Sequence, residues 1–215
     1  MICSKILTLN KNKFVTRLSQ LDDAPNDSGS VEYFNIGYPI LDPPTLRGSI
    51  VALFRKNFIE KNKDAIVFGS PVDTGGIAFG LFENLDDPLS LVSDCKCDGD
   101  KFLSLLNSLK ENLTPNDVEK LYQHKISLGA IDVLRNFFSS RVVNLIINNE
   151  FNPHSLIFEF SLSNKYLIDA GDVEKLYVPN TLDCQNLFPN FWPDNVKNII
   201  KFNPKYGIEN AMQFS

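Results

Sequence analysis

The sequence predicts an α+β fold, and three observations support this prediction. Short apolar segments that alternate or are rich in β-branched residues recur along the chain, with helically spaced leucines between them. A chain of 215 residues is long enough to bury a full core in one domain. Apolar residues make up 43% and charged residues 22%, which excludes collagen, coiled coil and wholesale disorder. We therefore expect one domain over residues 1–215.

The first quarter of the chain is predicted to form strands that lead into a helix. Near alternation of apolar residues over 5–21 predicts a strand, and residues 31–44 are expected to be extended. Between them, residues 22–30 are rich in Asp, Asn, Ser, Pro and Gly, which predicts a loop. Thr45 can cap a helix over 45–61, because several apolar positions would share one face. These positions are Leu46, Ile50, Leu53, Phe54 and Phe58.

The next segment has the pattern of a β-hairpin. Residues 65–71 combine a short apolar run with a turn, and residues 77–82 form a second apolar run. The sequence Asp73-Thr74-Gly75-Gly76 lies between them and is typical of a tight turn.

The second half of the chain alternates between predicted helices and strands. Leucine spacing predicts a helix over 100–112, and Thr114 followed by Pro115 marks the start of another. Residues 141–147 and 156–162 are rich in β-branched and aromatic residues and are predicted strands. A short helix is expected over 193–200, because Pro193 can occupy its first turn.

Charge and targeting signals narrow the class of protein. The net charge is −5, which argues against nonspecific wrapping of nucleic acid but leaves room for a local basic groove. Positive charge gathers in residues 1–20 and 47–63, and acidic residues gather in 83–100. No apolar run is long enough to span a membrane and no signal peptide is evident, so we expect a cytoplasmic protein. The spacing Cys95-Lys96-Cys97 is too short for a structural zinc site, which favours four reduced thiols.

Three segments, in this order, resemble one protein family. In residues 39–50, Thr45-Leu46-Arg47-Gly48 is similar to a Ser-Leu-Lys-Gly stretch that opens a helix. Residues 67–79 are similar to a Phe-Gly-Ser, short turn, glycine and strand pattern, and residues 149–160 to a Glu-x-Val-Pro-x-Gly-x-x-Phe strand entry. Together they resemble the RAMP superfamily, the backbone and related subunits of class 1 CRISPR effector complexes, and type III above all.

The resemblance implies a fold and an RNA-binding site. The fold would be a ferredoxin-like or RRM-like sheet with helices on one face and a thumb-like insertion around residues 83–140. The function would be guide-RNA binding in a complex with other CRISPR effector subunits, where base pairing recognises target RNA. A capped helix start with a cation and a glycine is also a favourable anion site on physical grounds. The residues expected to hold the guide backbone are Thr45, Arg47, Gly48, Arg55 and Lys56.

The resemblance also implies a cleavage site in the loop over residues 22–30. Type III backbone subunits cut target RNA with an Asp upstream of the Ser-Leu-Lys-Gly helix, and Asp27 lies at a similar spacing here. Asp22 and Asp23 are the alternatives. A carboxylate on such a loop can hold hydrated Mg²⁺ beside the scissile phosphate or orient the 2′-hydroxyl. A solvated turn without function is the alternative interpretation.

Two other functions are also compatible with the sequence. The first is a repeat-processing endoribonuclease of the same superfamily, for which His124 would be a candidate general acid or base. Such enzymes usually have a strong Gly-rich loop near the C-terminus, and only Gly207 represents it here. The second is an acidic immunity or adaptor protein that binds a basic protein partner rather than RNA.

Overall fold

The fold joins one sheet to a layer of helices. The computed structural model describes residues 1, 3–7, 31–37, 50–78, 85–148, 156–163, 170–180 and 199–203. These residues form an α+β fold, which confirms the predicted class and is consistent with a ferredoxin-like arrangement. The expected insertion and the assignment of residues 1–215 to one domain stay predictions.

The described strands are β1 (Cys3–Leu7), β2 (Val31–Ile36), β3 (Ile50–Phe54), β4 (Ile66–Ser70), β5 (Cys97–Asp98), β6 (Glu159–Ser163), β7 (Val173–Pro179) and β8 (Ile199–Phe202). They form one sheet in the order β5-β4-β6-β2-β1-β3-β7-β8. Every neighbouring pair is antiparallel except β7 and β8, which run parallel. Strands distant in sequence become neighbours in this order, so the sheet brings the first and last thirds of the chain together.

Most helices lie between β4 and β6 in the chain, and side-chain caps fix where several of them begin. Asp98 accepts a hydrogen bond from the Lys101 amide at 2.8 Å, and Thr114 and Asp117 form a reciprocal capping box. The helices are α1 (Phe58–Lys61), α2 (Thr74–Ala78), α3 (Pro88–Cys95), α4 (Gly99–Asn112), α5 (Pro115–Tyr122), α6 (Leu128–Arg135) and α7 (Ser140–Asn148). Short 3-10 turns cover Lys63–Ala65 and Ala170–Asp172.

Much of the core lies between α4 and one face of the sheet. Phe160 of β6 stacks on Phe34 of β2 with ring centroids 5.3 Å apart and contacts Phe102 of α4 at 5.9 Å. Because successive side chains of a strand point to opposite faces, the next residues along these strands face away from α4. A smaller apolar cluster of Val51, Tyr177 and Phe202 covers part of that opposite face.

Several predicted elements are confirmed. The expected strand over 65–71 contains β4, and the strand over 156–162 overlaps β6. The extended segment over 31–44 contains β2. Helix α4 begins and ends close to the predicted positions, and α5 begins at the predicted residue, since their caps are encoded in the local sequence.

The predicted helix over 45–61 is wrong over its central residues. Residues 50–54 form β3, which pairs with β1 on one side and β7 on the other, and only residues 58–61 are α-helical. Val51 and Ala52 are both fully buried although they face opposite sides of the sheet. An interior strand with both faces covered has a continuous apolar run, and over such a short length this run also fits a helical pattern.

Three further predictions need correction. The expected hairpin is absent from residues 73–78, where Asp73 accepts a hydrogen bond from the Gly76 amide at 2.8 Å and α2 begins. Residues 141–147 lie in α7, because the buried positions recur at helical spacing and β-branching does not override packing. Of the expected helix over 193–200, residues 199–200 belong to β8 and the rest lies outside the described residues.

Candidate functional site

Basic residues cluster in the turn that connects β3 to α1, at the end of α1 and just after this short helix. We define the basic turn by Arg55, Lys56, Lys61 and Lys63, all of which are exposed. Glu60 and Asp64 are the acidic residues of the same stretch, so basic residues outnumber acidic ones by two. In a chain with a net charge of −5, this concentration of positive charge is a candidate anion-binding surface.

The backbone of the basic turn is held by the 3-10 turn that precedes β7. The Arg55 amide donates a hydrogen bond to the Asp172 carbonyl at 2.9 Å, and Arg55 Nε donates to the Gly171 carbonyl at 2.7 Å. The Phe58 amide donates to the Arg55 carbonyl at 2.9 Å and closes the turn. Arg55 is therefore oriented through Nε, while its two terminal nitrogens have no acceptor within the described part of the chain.

The lysines around this turn fall into two groups. Lys61 Nζ forms an ion pair with the Asp172 carboxylate at 2.5 Å, and the Asp172 side chain is almost fully buried. Lys56 and Lys63 make no ion pair within the described residues. Burial is the largest cause that lowers the pKa of the Met1 amino group, and the positive charges of Lys110 of α4 and of Lys56 lower it further. Both ammonium groups therefore lie near the Met1 amino group. Lys56, Lys63 and Lys110 thus supply positive charge that the described acidic residues do not neutralise.

The structure describes only part of the site that the sequence predicted. Arg55 and Lys56 are exposed and adjacent, although they lie in a turn after a strand rather than on the polar face of a helix. Lys110 was not a candidate, because a helix far along the chain gives no sequence signal that it will approach the basic turn. The other predicted residues, Asp22, Asp23, Asp27, Thr45, Arg47 and Gly48, lie outside the described residues.

A second polar group lies inside the fold, on the sheet face opposite α4. Glu159 of β6 pairs in register with Ser70 of β4, and its Oε1 accepts hydrogen bonds from the Thr74 amide at 3.1 Å and from the Thr74 hydroxyl. Two residues along the same strand, Ser161 is fully buried, and its Oγ has no hydrogen-bond partner among the described residues. A buried hydroxyl without a partner is unfavourable for stability, so Ser161 departs from the usual satisfaction of buried polar groups.

The environment of Glu159 shifts its titration toward neutral pH. Burial raises the pKa of Glu159 to about 7, and the nearby Asp73 carboxylate adds to this increase. The two hydrogen bonds from Thr74 and the more distant Lys96 ammonium act in the opposite direction. Although Glu159 polarises the Thr74 hydroxyl, only 5% of Thr74 is exposed, so the hydroxyl is not presented to a substrate.

The described cysteines, Cys3, Cys95 and Cys97, are buried. Cys95 and Cys97 form no disulfide, and burial raises the pKa of Cys95 to about 12 and that of Cys97 to about 11. Thiols with such high pKa values are weak nucleophiles and poor metal ligands. Within the described ranges, no three His, Cys, Asp or Glu side chains are arranged to hold a metal ion. The predicted Mg²⁺ site at Asp27 lies outside those ranges.

Comparison with known proteins gives no family assignment. No family model matches the chain, and no curated protein and no solved structure is significantly similar to it. None of the helices that the structure describes has both the length and the apolar character that crossing a membrane requires. Function must therefore be argued from the residues themselves.

Proposed function

We propose that this protein binds the backbone of a guide RNA, as one subunit of a cytoplasmic multi-protein CRISPR ribonucleoprotein. The observation that carries the proposal is the basic turn, where exposed cations converge on an anchored stretch of backbone. Lys110 extends the positive region onto α4. Phosphate groups are the natural ligands of such a surface, because they attract arginine and lysine without regard to base sequence.

The geometry of Arg55 suits phosphate recognition. Its Nε is held by the Gly171 carbonyl, and the two terminal nitrogens are left to donate in parallel to the oxygens of one phosphate. Lys56 and Lys63 act as point charges for neighbouring phosphates along the strand. Such contacts fix the register of the RNA on the protein and leave the bases free to pair with a target RNA.

The resemblance to RAMP subunits supplies the biological part of the proposal. In that family, subunits pack side by side along a guide RNA, and the proposal extends this arrangement to other CRISPR effector subunits as partners. The repeat-processing alternative is weakened by His124, which is 7% exposed with its Nδ1 3.1 Å from the Leu156 carbonyl oxygen. A ring buried in this way is poorly placed to transfer protons to a substrate.

Lys56→Glu should weaken binding of single-stranded RNA about tenfold at low salt, because it reverses a charge beside the phosphates. It should also reduce the slope of log Kd against log salt concentration by about 0.7, the change expected for one lost phosphate contact. Filter binding at several salt concentrations measures both quantities.

Lys125→Glu is the matched control for this test. Lys125 is also an exposed lysine, but it lies between α5 and α6 rather than in the basic turn. The Lys125→Glu variant changes the net charge by the same amount as Lys56→Glu. Its affinity for RNA should nevertheless remain near the wild-type value, because the basic turn is intact. Equal loss of affinity in both variants would show that net charge matters and the basic turn does not. A wild-type protein that binds no RNA, alone or with its operon neighbours, would favour the acidic adaptor alternative.

Target cleavage is the second part of the proposal and rests on the resemblance alone. We expect Asp27→Ala to abolish Mg²⁺-dependent cutting of a labelled target RNA by the assembled complex while guide and target binding persist. Asp22→Ala and Asp23→Ala are the companion variants, and EDTA is the control for metal dependence. Cutting that survives all three changes would assign the reaction to another subunit, and a wild-type complex that does not cut would leave this chain a scaffold.

A further inference from the structure

Glu159 connects two parts of the chain that are far apart in sequence. It is the first residue of β6, the strand between β4 and β2 in the sheet, and its Oε1 accepts both hydrogen-bond donors of Thr74 at the start of α2. Thr74 is separated from it by 85 positions. This side chain therefore fastens residues 71–78, which we call the α2 segment, to the face of the sheet opposite α4.

The charges around Glu159 do not compensate its burial. Among the described residues, the charged or titratable groups that face it are Asp73 from the β4–α2 connection and Lys96 and Cys95 from the end of α3. Asp73 is itself 9% exposed and opposes ionisation of Glu159. The Cys95 thiol is neutral at physiological pH. The neighbours in the sheet, Ser70 and Asn35, are neutral residues.

We propose that the protonation state of Glu159 controls how firmly the α2 segment is docked on the sheet. With the proton bound, the carbonyl oxygen of the acid still accepts the two Thr74 donors, and no second negative charge is placed beside Asp73. When the proton leaves, a buried carboxylate lies next to another carboxylate. Undocking of the α2 segment then hydrates both groups and relieves the repulsion.

The direction of the effect follows from proton linkage. A docked α2 segment holds the Glu159 proton with a pKa of about 7, against the ordinary value of 4.5 when the side chain is exposed to water. Undocking therefore releases a proton at neutral pH, and rising pH favours the undocked state. With these two pKa values, the equilibrium constant for undocking increases about tenfold between about pH 6 and about pH 8.

Hydrogen exchange of the α2 segment measures this equilibrium. After correction for the intrinsic pH dependence of exchange, protection of the amides of residues 74–77 should fall about tenfold between about pH 6 and about pH 8. Protection of α4, whose capped start and buried face have no such titrating group, should not change over the same range. Constant protection of residues 74–77 would overturn the proposal.

Two variants assign the effect to Glu159. Glu159→Gln keeps an oxygen acceptor for Thr74 but cannot ionise, so protection of the α2 segment should become independent of pH. A fall in protection equal to that of the wild type would overturn the proposal. Should this variant fail to fold, Asp73→Asn removes the neighbouring charge while keeping an acceptor for the Gly76 amide. Because Asp73 raises the pKa of docked Glu159, this variant should lower that pKa and make the fall in protection between about pH 6 and about pH 8 smaller than in the wild type. A fall equal to that of the wild type would contradict the proposed role of the carboxylate pair.

Discussion

Gly69→Ala should lower the free energy of unfolding by about 3 kcal/mol, near the upper range for overpacked cores. A Cβ at Gly69 would overlap the ring of Phe102, which is fully buried and held between β4 and β6. The ring has nowhere to move, because it also contacts Phe160 at 5.9 Å. Either α4 must lift from the sheet or the ring must leave its rotamer, and both disturb the packing of Phe102 on Phe160. Urea denaturation should show the midpoint lowered by about 1 M.

Gly129→Ala is the matched control for this prediction. Gly129 lies in α6, where the nearest atoms to an added Cβ would be the ends of two partly exposed side chains, Leu113 Cδ2 at 3.3 Å and Asp117 Oδ2 at 3.4 Å. Alanine is favoured over glycine inside a helix by up to about 1 kcal/mol, so this variant should be as stable as the wild type or slightly more so. Equal destabilisation of the two variants would contradict the close packing of α4 on β4.

Glu159→Gln should raise the free energy of unfolding at about pH 8 by about 3 kcal/mol. Because the folded protein raises the pKa of Glu159 from 4.5 to about 7, the folded state binds the proton more tightly than the unfolded state. The wild type therefore loses stability as pH rises from 4.5 to about 7, and the loss is complete above that range. The glutamine variant does not ionise and keeps an acceptor for Thr74, so it avoids this loss.

Chemical denaturation at a series of pH values tests this second prediction. The stability difference between variant and wild type should be smallest near pH 4.5 and reach its plateau above about pH 7. Glu174→Gln removes the same charge from an exposed position of β7 and should leave the pH profile of stability unchanged. A glutamine variant less stable than the wild type at every pH would show that the carboxylate stabilises the fold.

The sequence predicted those elements whose signals are local. The caps at Asp98 and Thr114 and the buried positions of α4 depend on residues a few positions apart, so these helices could be placed in advance. The α+β class likewise follows from the alternation of strand-like and helix-like segments. By contrast, β3 resembles a helix in its local pattern, and only its pairing with β1 and β7 makes it a strand.

For the candidate sites too, the sequence predicts only what local patterns encode. Arg55 and Lys56 could be selected because the basic residues cluster in sequence, but their anchoring by Gly171 and Asp172 depends on strand pairing across the sheet. Lys110 joins them only through the packing of α4. Glu159 gave no signal at all, since one charged residue in an apolar strand usually indicates a solvent-facing position. Its environment arises because the α2 segment covers that face of β6.

Photo-crosslinking of the protein in its RNA-containing complex tests the central claim most directly. The complex would be purified with the proteins encoded beside this one, irradiated, digested and searched for peptides that carry a nucleotide. We predict attached nucleotides on peptides that contain the basic turn, with weaker labelling in the Lys56→Glu variant. A complex that contains no nucleic acid, or crosslinks confined to other subunits, would contradict the account.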